Sequence, residues 1–339
     1  MDTEERHELA IGHLAIGGWF SRALGVAARL GIADVLGDDF LTAEQIAERT
    51  DTNAEVMTRL LRALTFCGVT QRNEAGEFGL TAKFAQLRTD HPLSLRHICM
   101  LFTETYDDAF GALLHTVRTG KSGFQQVFGM SLFEYFEQDE EAARVFDLAM
   151  VELARPVAHS LAQVHDFTAV NRIVDVGGGG GAMLRGILRI HPHLSGISAD
   201  RESVCERALA NLASSPDSDL AERLTFAPAD FFTEVPSGGD RYLLKNVLHD
   251  WAFDSCQRIL GTVRAAMTEP GARLLVVEPP ISEDFDAARE LFQMVALEEG
   301  MCGLTEEGMR ELIGSSGFDV LSVTALPTGH NVYESIVRR

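Results

Sequence analysis

The spacing of apolar residues divides the chain near residue 165. Before that point apolar residues recur at helical spacing, and beyond it seven short apolar runs appear. Helix-like segments separate the first five runs, a pattern typical of a doubly wound, parallel α/β sheet. The last two runs are joined only by PTGH, which is too short for a parallel crossover. We therefore predict that these two strands pair antiparallel. The seven runs begin at or near Arg172, Ser195, Arg223, Arg241, Arg273, Asp319 and Asn331.

The N-terminal part predicts a helical domain with a small hairpin. The segment from Leu9 is apolar on more than one face, so we expect it to be buried all round, in part by a second subunit. Thr42 with Gln45 forms a capping-box pattern and Asn53 can cap a second helix, while VTQRNEAGEFGLT predicts a hairpin with a glycine turn. Helix, turn, helix and hairpin outline a winged-helix domain.

These patterns predict three regions. A winged-helix domain occupies residues 1–92, a helical linker that also lines the substrate pocket occupies 93–168, and the α/β domain occupies 169–339. The middle region is rich in Phe and Met. Such a stripe forms either ordinary core or the wall of an apolar pocket, and both readings stay open here.

Composition excludes several classes of protein. The 339 residues are 46% hydrophobic and 23% charged, as in an ordinary globular protein. No apolar run reaches the ~18 residues of a membrane span, and the start, MDTEERHELA, is acidic, so we expect a cytoplasmic protein with no membrane partner. Five cysteines without CxxC spacing predict reduced, mostly buried thiols and no metal site.

The winged-helix outline also fits a DNA-binding regulator. Its second helix, however, supplies only Arg59 and Arg62 as cations, and the net charge of −21 repels phosphate backbones. We expect no nucleic-acid partner and a domain used for packing and dimerisation.

Five consecutive glycines, Gly177–Gly181, lie between the first predicted strand of the sheet and a helix. A turn needs only one or two glycines, so the run predicts a loop that a nucleotide cofactor approaches closely. Gly177, Gly179 and Gly181 match GxGxG, and Gly177, Gly179 and Ala182 match the dinucleotide pattern. Spacing alone therefore does not identify the cofactor.

Three aspartates at the ends of the first three strands of the sheet narrow the choice of cofactor. Asp175 precedes the glycines, where its charge suits an ammonium group better than a pyrophosphate. Asp200 ends the second strand, the place of an acceptor for ribose hydroxyls. Asp230 can accept from an adenine amino group, with Phe231 or Phe232 against the ring. Any one of the three could instead be a helix N-cap.

The motifs VDVGGGGG, AD, PADFF, LLKNVLHDW and VVEPP resemble those of bacterial and plant small-molecule O-methyltransferases that use S-adenosylmethionine. The resemblance covers nearly the whole chain. It implies a Rossmann-like class I methyltransferase sheet of seven strands with an antiparallel last strand, an N-terminal winged-helix dimerisation domain and a homodimer. It also implies S-adenosylmethionine bound at the glycine loop, with S-adenosylhomocysteine as product, and adds Arg201, Lys245 and Trp251 to the predicted cofactor site.

Methyl transfer requires alignment and removal of a proton from the acceptor. His249, just past the fourth strand of the sheet, is the candidate base, with Asp250 beside it. The resemblance assigns Glu278 to the other N–H of His249; the alternative is a solvated strand-end carboxylate. An imidazole near pKa 6.5 falls short of a phenol near 10 by ~5 kcal/mol, and of an alcohol near 15.7 by over ~12 kcal/mol. This difference favours a phenolic or otherwise acidified hydroxyl.

For the small aromatic substrate we predict contacts with Phe146, Met150, Asn246 and Met294. One departure from the family is Gly303, which stands where GGxERT carries a second glutamate; Glu298 or Glu299 are substitutes we do not favour. This departure keeps open a hydroxylation or decarboxylation on bound cofactor. A nicotinamide dehydrogenase is disfavoured by Asp175 and by the closing hairpin.

Overall fold

The computed structural model describes residues 11–213, 215–281, 287–296 and 304–338. The chain forms two compact units, Met1–Asp108 and Ala109–Arg339. The boundaries at 92 and 168 stay a prediction. Within the described residues no helix is long and apolar enough to cross a membrane.

After a helical segment at residues 11–15, the first unit contains five further α-helices that lie wholly within it and a three-stranded sheet of order β1-β3-β2. The helices are α1 (Gly17–Arg29), α2 (Ile32–Leu36), α3 (Ala43–Arg49), α4 (Ala54–Phe66) and α5 (Arg96–Thr103), and the strands are β1 (Phe40–Leu41), β2 (Thr70–Arg72) and β3 (Phe78–Leu80).

The sequence-predicted helix starts and hairpin are confirmed. Thr42 forms a capping box with Gln45 at the start of α3, and the Asn53 side chain accepts from the Val56 N–H at the start of α4. The antiparallel pair β2 and β3 is the predicted wing.

Helix α1 is buried within the chain on one face only. Gly25, Ala27 and Ala28 are buried, whereas Trp19 is 72% exposed. The expectation that this segment is buried all round is thus not met by a single chain.

The second unit begins with helices that precede the sheet. Helix α6 (Thr105–Phe110) crosses the boundary between the units. It is followed by α7 (Leu113–Thr119), α8 (Gly123–Phe128), α9 (Leu132–Gln138) and the 25-residue α10 (Glu140–Val164).

The seven-stranded sheet has the order β6-β5-β4-β7-β8-β10-β9. β4 to β8 pair parallel, and β10 pairs antiparallel with both β8 and β9, so the predicted topology and closing hairpin are confirmed. The strands are β4 (Arg172–Val176), β5 (Ser195–Asp200), β6 (Leu224–Pro228), β7 (Arg241–Lys245), β8 (Arg273–Glu278), β9 (Phe318–Ala325) and β10 (Asn331–Val337).

Helices cover both faces of this sheet, and each face has its own apolar core. One core includes Leu161, Ile187 and Leu275, and the other includes Ile259, Leu312 and Val276. The helices are α11 (Ala182–Ile190), α12 (Glu202–Ala213), α13 (Phe253–Ala266), α14 (Ala287–Ala296) and α15 (Glu306–Ser315).

One helix-like connection was predicted wrongly. Between β6 and β7 the described chain forms a turn at Phe231–Thr233 and then an irregular stretch. Pro236 and the two glycines that follow it explain the difference, because proline and glycine both disfavour helix interiors.

Candidate active site

A cavity of about 340 Å³ opens in the second unit at the carboxyl ends of the parallel strands. Because strands β4, β5, β6 and β7 all end there, their terminal residues and the loops after them converge on one space. Its lining comprises Phe133, Phe146, Asp147, Met150, Val151, Ala154, Asp175, Gly177–Gly180, Ala182, Met183, Asp200, Arg201, Val204, Ala229, Asp230, Phe231, Phe232, Lys245, Asn246, Val247, Asp250 and Trp251.

The glycine run is needed because neighbouring atoms approach its backbone closely. A Cβ at Gly178 would clash with Ser198 Oγ and would lie 2.8 Å from Asp175 Oδ2. A Cβ at Gly177, which also has a φ of +71°, would lie 2.9 Å from Val247 Cγ2. A side chain at either position would therefore displace groups of the cavity wall.

Asp175 is the most unusual group in the cavity. It is 1% exposed, and its Oδ2 hydrogen-bonds to no described residue. Burial, together with the charge of Asp200, raises the pKa of Asp175 to about 8, and the nearby Lys245 only partly opposes the shift. Burial likewise lowers the pKa of Lys245 to about 8. A buried, unpartnered acceptor facing a cavity is a site for a ligand donor.

Asp200 shapes the glycine loop from the end of β5. Its Oδ2 accepts from the Gly179 N–H at 2.9 Å and its Oδ1 from the Arg201 N–H at 2.8 Å. Arg201 in turn donates to Glu137 and, at 3.1 Å, to the Phe133 carbonyl on α9. These contacts fix one end of the cavity. Asp230 is exposed at its rim, and its Oδ1 accepts from the Phe232 N–H at 2.9 Å.

Aromatic rings form one wall of the cavity. Trp251 stacks on Phe133 with centroids 5.7 Å apart and meets Phe231 and Phe232 edge-on at 5.8 and 4.9 Å. Phe146 packs edge-on against the other side of Phe133. Flat, apolar walls of this kind suit a planar ring, whether from a nucleotide base or from an aromatic substrate.

His249 lies in a short 3₁₀ turn after β7, between two carboxylates. Its Nδ1 lies 2.6 Å from Glu278 Oε2 and its Nε2 lies 3.1 Å from Asp250 Oδ1. Glu278 is 2% exposed, and its Oε1 accepts from the N–H groups of Val247 and Leu248 at 2.8 and 2.9 Å. Glu278 is thus a fixed, buried acceptor that orients the imidazole.

The two carboxylates also determine the protonation state of His249. Burial by itself would lower its pKa, but the charges of Glu278 and Asp250 outweigh burial and raise the pKa of His249 to about 10. Burial would raise the pKa of Glu278, yet His249 and the two backbone donors hold it below its usual value. The two carboxylates therefore favour the imidazolium form of His249, in which both ring nitrogens donate.

The structure brings most of the predicted site residues to one cavity. All nine predicted cofactor residues line it, as do Phe146, Met150, Asn246 and Asp250. His249 contacts the cavity-lining Asp250 and, on its other nitrogen, Glu278; neither His249 nor Glu278 lines the cavity. Met294 lies on α14, is 41% exposed and lines no part of the cavity, whereas its buried neighbour Gln293 donates to the His249 carbonyl at 3.3 Å. The roles of all these residues remain predictions.

Other predicted features fall outside the site or outside the described chain. Gly303, Glu298 and Glu299 lie outside the described residues, as does Cys302. Of the four described cysteines, Cys205 and Cys256 are buried and Cys67 is exposed. No group of potential metal ligands occurs among the described residues.

Phe133 and Asp147 are among the lining residues that sequence reasoning missed. Asp147 on α10 is 9% exposed, and its Oδ2 accepts from Arg207 Nε at 2.6 Å. An acidic residue between the apolar Phe146 and Met150 was a signal for a polar contact on the cavity side of α10.

Comparison with known proteins agrees with this geometry. An O-methyltransferase domain model matches residues 110–319, and an O-methyltransferase dimerisation domain model matches residues 13–84. The chain is 36% identical over 326 residues to O-methyltransferase SfmM3 of Streptomyces lavendulae, which covers 93% of this chain and 96% of that protein. It is also 34% identical to aclacinomycin 10-hydroxylase RdmB of Streptomyces purpurascens, over 92% of this chain and 86% of that one.

Solved structures show the same fold. The crystal structure of LaPhzM aligns with a TM-score of 0.90 at 33% identity, covering 97% of this chain and 99% of that one. The O-methyltransferase NcsB1 from neocarzinostatin biosynthesis, in complex with S-adenosylmethionine and 2-hydroxy-5-methyl naphthoic acid, aligns with a TM-score of 0.78 at 28% identity, covering 94% and 95% of the two chains.

A seven-stranded sheet with an inserted antiparallel last strand, a glycine loop and strand-end carboxylates around one cavity defines a class I methyltransferase that uses S-adenosylmethionine. The family models narrow the class further. The chain belongs to the O-methyltransferase family and carries that family's dimerisation domain.

Proposed function

We propose that this enzyme methylates a phenolic or otherwise acidified hydroxyl of a small aromatic natural product, with His249 accepting the hydroxyl proton. The observation that carries the proposal is the Glu278–His249–Asp250 arrangement at the edge of the cofactor cavity. A similar protein supports the same proposal, since the structure of NcsB1 is named as a complex with a hydroxylated naphthoic acid.

The residues present fit the cofactor. Asp175 offers an unpartnered buried acceptor for an ammonium group, Asp200 a carboxylate for ribose hydroxyls, and Asp230 with the nearby rings a place for adenine. Gly177 and Gly178 allow Val247 and Asp175 to approach the loop backbone, so that the loop keeps its place in the cavity wall. When bound, the cofactor supplies a methyl group on a sulfonium, which is already activated for transfer. The remaining tasks of alignment and proton removal fall to the protein.

Asp250 Oδ1 contacts His249 Nε2, the nitrogen with which His249 would accept a proton. The acceptor hydroxyl must therefore replace Asp250 Oδ1 at His249 Nε2, while Glu278 keeps hold of Nδ1. When Asp250 turns away, His249 loses one of the two carboxylates that stabilise its cationic form, and its pKa falls. The ring releases its Nε2 proton to solvent, and the neutral ring then takes the hydroxyl proton at Nε2, where Glu278 stabilises the new imidazolium.

The acceptor is constrained by its acidity. A phenol near pKa 10 matches a histidine whose pKa lies between the ordinary 6.5 and the value of about 10 set by its carboxylates. An alcohol near 15.7 stays ~8 kcal/mol or more out of reach of such a base. A phenolic hydroxyl is therefore favoured over an alcohol whether the pKa of His249 lies near 6.5 or near 10.

The first test is calorimetric titration of the purified protein with S-adenosylhomocysteine, with NADH as the control ligand. We expect one S-adenosylhomocysteine per chain and no binding of NADH. The protein is then assayed with S-adenosylmethionine and a panel of 2-naphthol, catechol and 2-hydroxy-5-methylnaphthoic acid, with 2-naphthylmethanol as the matched alcohol. Methylation of 2-naphthylmethanol at a rate similar to that of 2-naphthol would contradict the acidity argument.

Two histidine variants separate the base from a general effect of mutation. His249→Ala should lower methyl transfer by about 10²–10⁴-fold and leave S-adenosylhomocysteine binding intact. His159→Ala, at an exposed position on α10, should change neither. Equal activity of the two variants would refute the role of His249. A hydroxylated product would instead indicate the reaction class named for RdmB.

We also propose that the protein is a homodimer through its first unit. Trp19 and Phe66 are 72% and 70% exposed there, and Phe66 stacks on Phe20 at 5.4 Å. Because these aromatic residues are exposed on the O-methyltransferase dimerisation domain, we assign them to the interface between two subunits.

A further inference from the structure

The turn between β7 and His249 contains a backbone conformation that side chains seldom adopt. Asn246 has a φ of +55°, one of two positive values among non-glycine residues of the described chain. Such a conformation is mildly strained and persists where the surroundings require it. Asn246 lines the cavity, and Asp51, the other such residue, lies in the first unit.

The backbone at Asn246 has one identifiable purpose. Its N–H continues the sheet by donating to the Val277 carbonyl at 3.1 Å. The chain then turns, so that the next two N–H groups, of Val247 and Leu248, both reach Glu278 Oε1. The turn thus holds the carboxylate that orients His249. Glycine would serve this backbone purpose equally well, because it adopts positive φ without cost.

The side chain of Asn246 has a partner of its own. His330, in the turn between β9 and β10, has its Nε2 3.1 Å from Asn246 Oδ1. On its other side, His330 Nδ1 lies 3.2 Å from Thr328 Oγ1 and 3.3 Å from the Thr328 carbonyl. We assign the His330 proton to Nε2, which donates to Asn246 Oδ1; Nδ1 then accepts from the Thr328 hydroxyl, and the Thr328 carbonyl is a neighbour of the ring without a hydrogen bond to it. The amide oxygen then accepts from His330, which leaves the amide N–H groups as the donors that this cavity-lining side chain can offer a ligand.

We propose that Asn246, oriented by His330, donates an amide N–H to the reacting oxygen of the methyl acceptor, and that His330 is a positioning residue for this contact. The inference rests on the proposed function. Asn246 lies three residues before His249 and lines the same cavity as Asp250, the group that the acceptor hydroxyl replaces. A neutral donor at this point stabilises the oxygen as it loses its proton and adds no charge to a cavity that must admit a cation.

Asn246→Gly separates the two roles of the residue, because glycine keeps the backbone turn and removes the amide. We expect this variant to bind S-adenosylhomocysteine within twofold of the wild type and to lose about tenfold to a hundredfold in kcat/KM for 2-naphthol, as for one hydrogen bond to a charged oxygen. His330→Ala should lose about threefold to tenfold. Asn246→Gly with wild-type kcat/KM would overturn the inference.

The double variant tests whether His330 acts through Asn246. In the Asn246→Gly background, His330→Ala should cost less than twofold, because the amide that it orients is gone. Full additivity of the two losses would overturn the positioning role. His159→Ala is the matched histidine control and should match the wild type in both backgrounds.

A readout independent of methyl transfer keeps the inference distinguishable from the proposed function. The apparent pKa of 4-nitrophenol bound to the S-adenosylhomocysteine complex is read from its phenolate absorbance. Loss of the amide donor should raise this pKa in Asn246→Gly and, to a smaller extent, in His330→Ala. An unchanged value in Asn246→Gly overturns the inference whether or not the wild type methylates phenols. A wild type that methylates none of the panel, with the pKa shifts present, overturns the proposed function alone.

Discussion

The buried carboxylate of Asp175 makes cofactor binding depend on pH. Its pKa of about 8 means that roughly ten of eleven cofactor-free molecules carry a proton on Asp175 at pH 7. A ligand ammonium pairs only with the ionised form, so each binding event releases that proton. Between pH 6 and pH 7 the affinity for S-adenosylhomocysteine should therefore rise about ninefold, with about 0.9 proton released per molecule bound at pH 7.

Titration calorimetry at pH 6.0, 6.5 and 7.0 in two buffers of different ionisation enthalpy measures both quantities. Asp175→Asn should bind more weakly and lose the pH dependence and the proton release. Asp230→Asn is the matched control, since it removes an exposed carboxylate of the same cavity and should keep the wild-type slope. A wild-type affinity that is flat from pH 6 to 7, or an Asp175→Asn protein with the wild-type slope, would refute the assignment.

Three further results are expected. Gly178→Ala should weaken S-adenosylhomocysteine binding more than tenfold, because its Cβ would lie 2.8 Å from Asp175 Oδ2. Gly180→Ala is the control, since the atom nearest to its Cβ would be 3.3 Å away, and it should bind within about threefold of the wild type in the same titration. The pH–rate profile of the wild type should rise with pH until His249 is neutral, and Asp250→Asn should move that rise to lower pH because it removes a charge that raises the pKa of His249. Trp19→Glu should shift the protein from dimer to monomer in light scattering, and an unchanged mass would place the interface elsewhere.

The fold was predictable because its signals are local. The capping residues Thr42 and Asn53 mark helix starts within a few residues, and PTGH alone forces the last two strands to pair antiparallel. The strand-end aspartates were predictable for the same reason, since parallel strands bring their carboxyl ends to one edge. The helix-like segment predicted between β6 and β7 was wrong, because the proline and glycines there disfavour a helix more strongly than the alternation of strands and helices around them favours one.

The state of the site was not predictable, because it depends on groups that meet from distant parts of the chain. His249 has Glu278 on one nitrogen and Asp250 on the other, and only the side-chain geometry shows that both contacts exist at once. The motif suggested a neutral base near its ordinary pKa, whereas the two carboxylates raise the pKa of His249 and favour its imidazolium form. Met294 and Gln293 show a similar limit, since neighbours on a helix point about 100° apart and the helix phase was not fixed by the sequence.

The charges around the cavity connect cofactor binding to the proton acceptor. Lys245 is influenced by Glu278, Asp175 and Asp250. Asp175 lines the cofactor cavity, and the other two carboxylates contact His249. The ligand ammonium replaces the proton of Asp175, so the added charge is that of the sulfonium; a sulfonium in the cavity would favour loss of the proton from His249 and would strengthen the attraction of Asp250 for the cofactor side of the cavity. Both effects release His249 Nε2 for the acceptor. The base should therefore become available only after the cofactor is in place, so that the order of binding follows from the order of the charges.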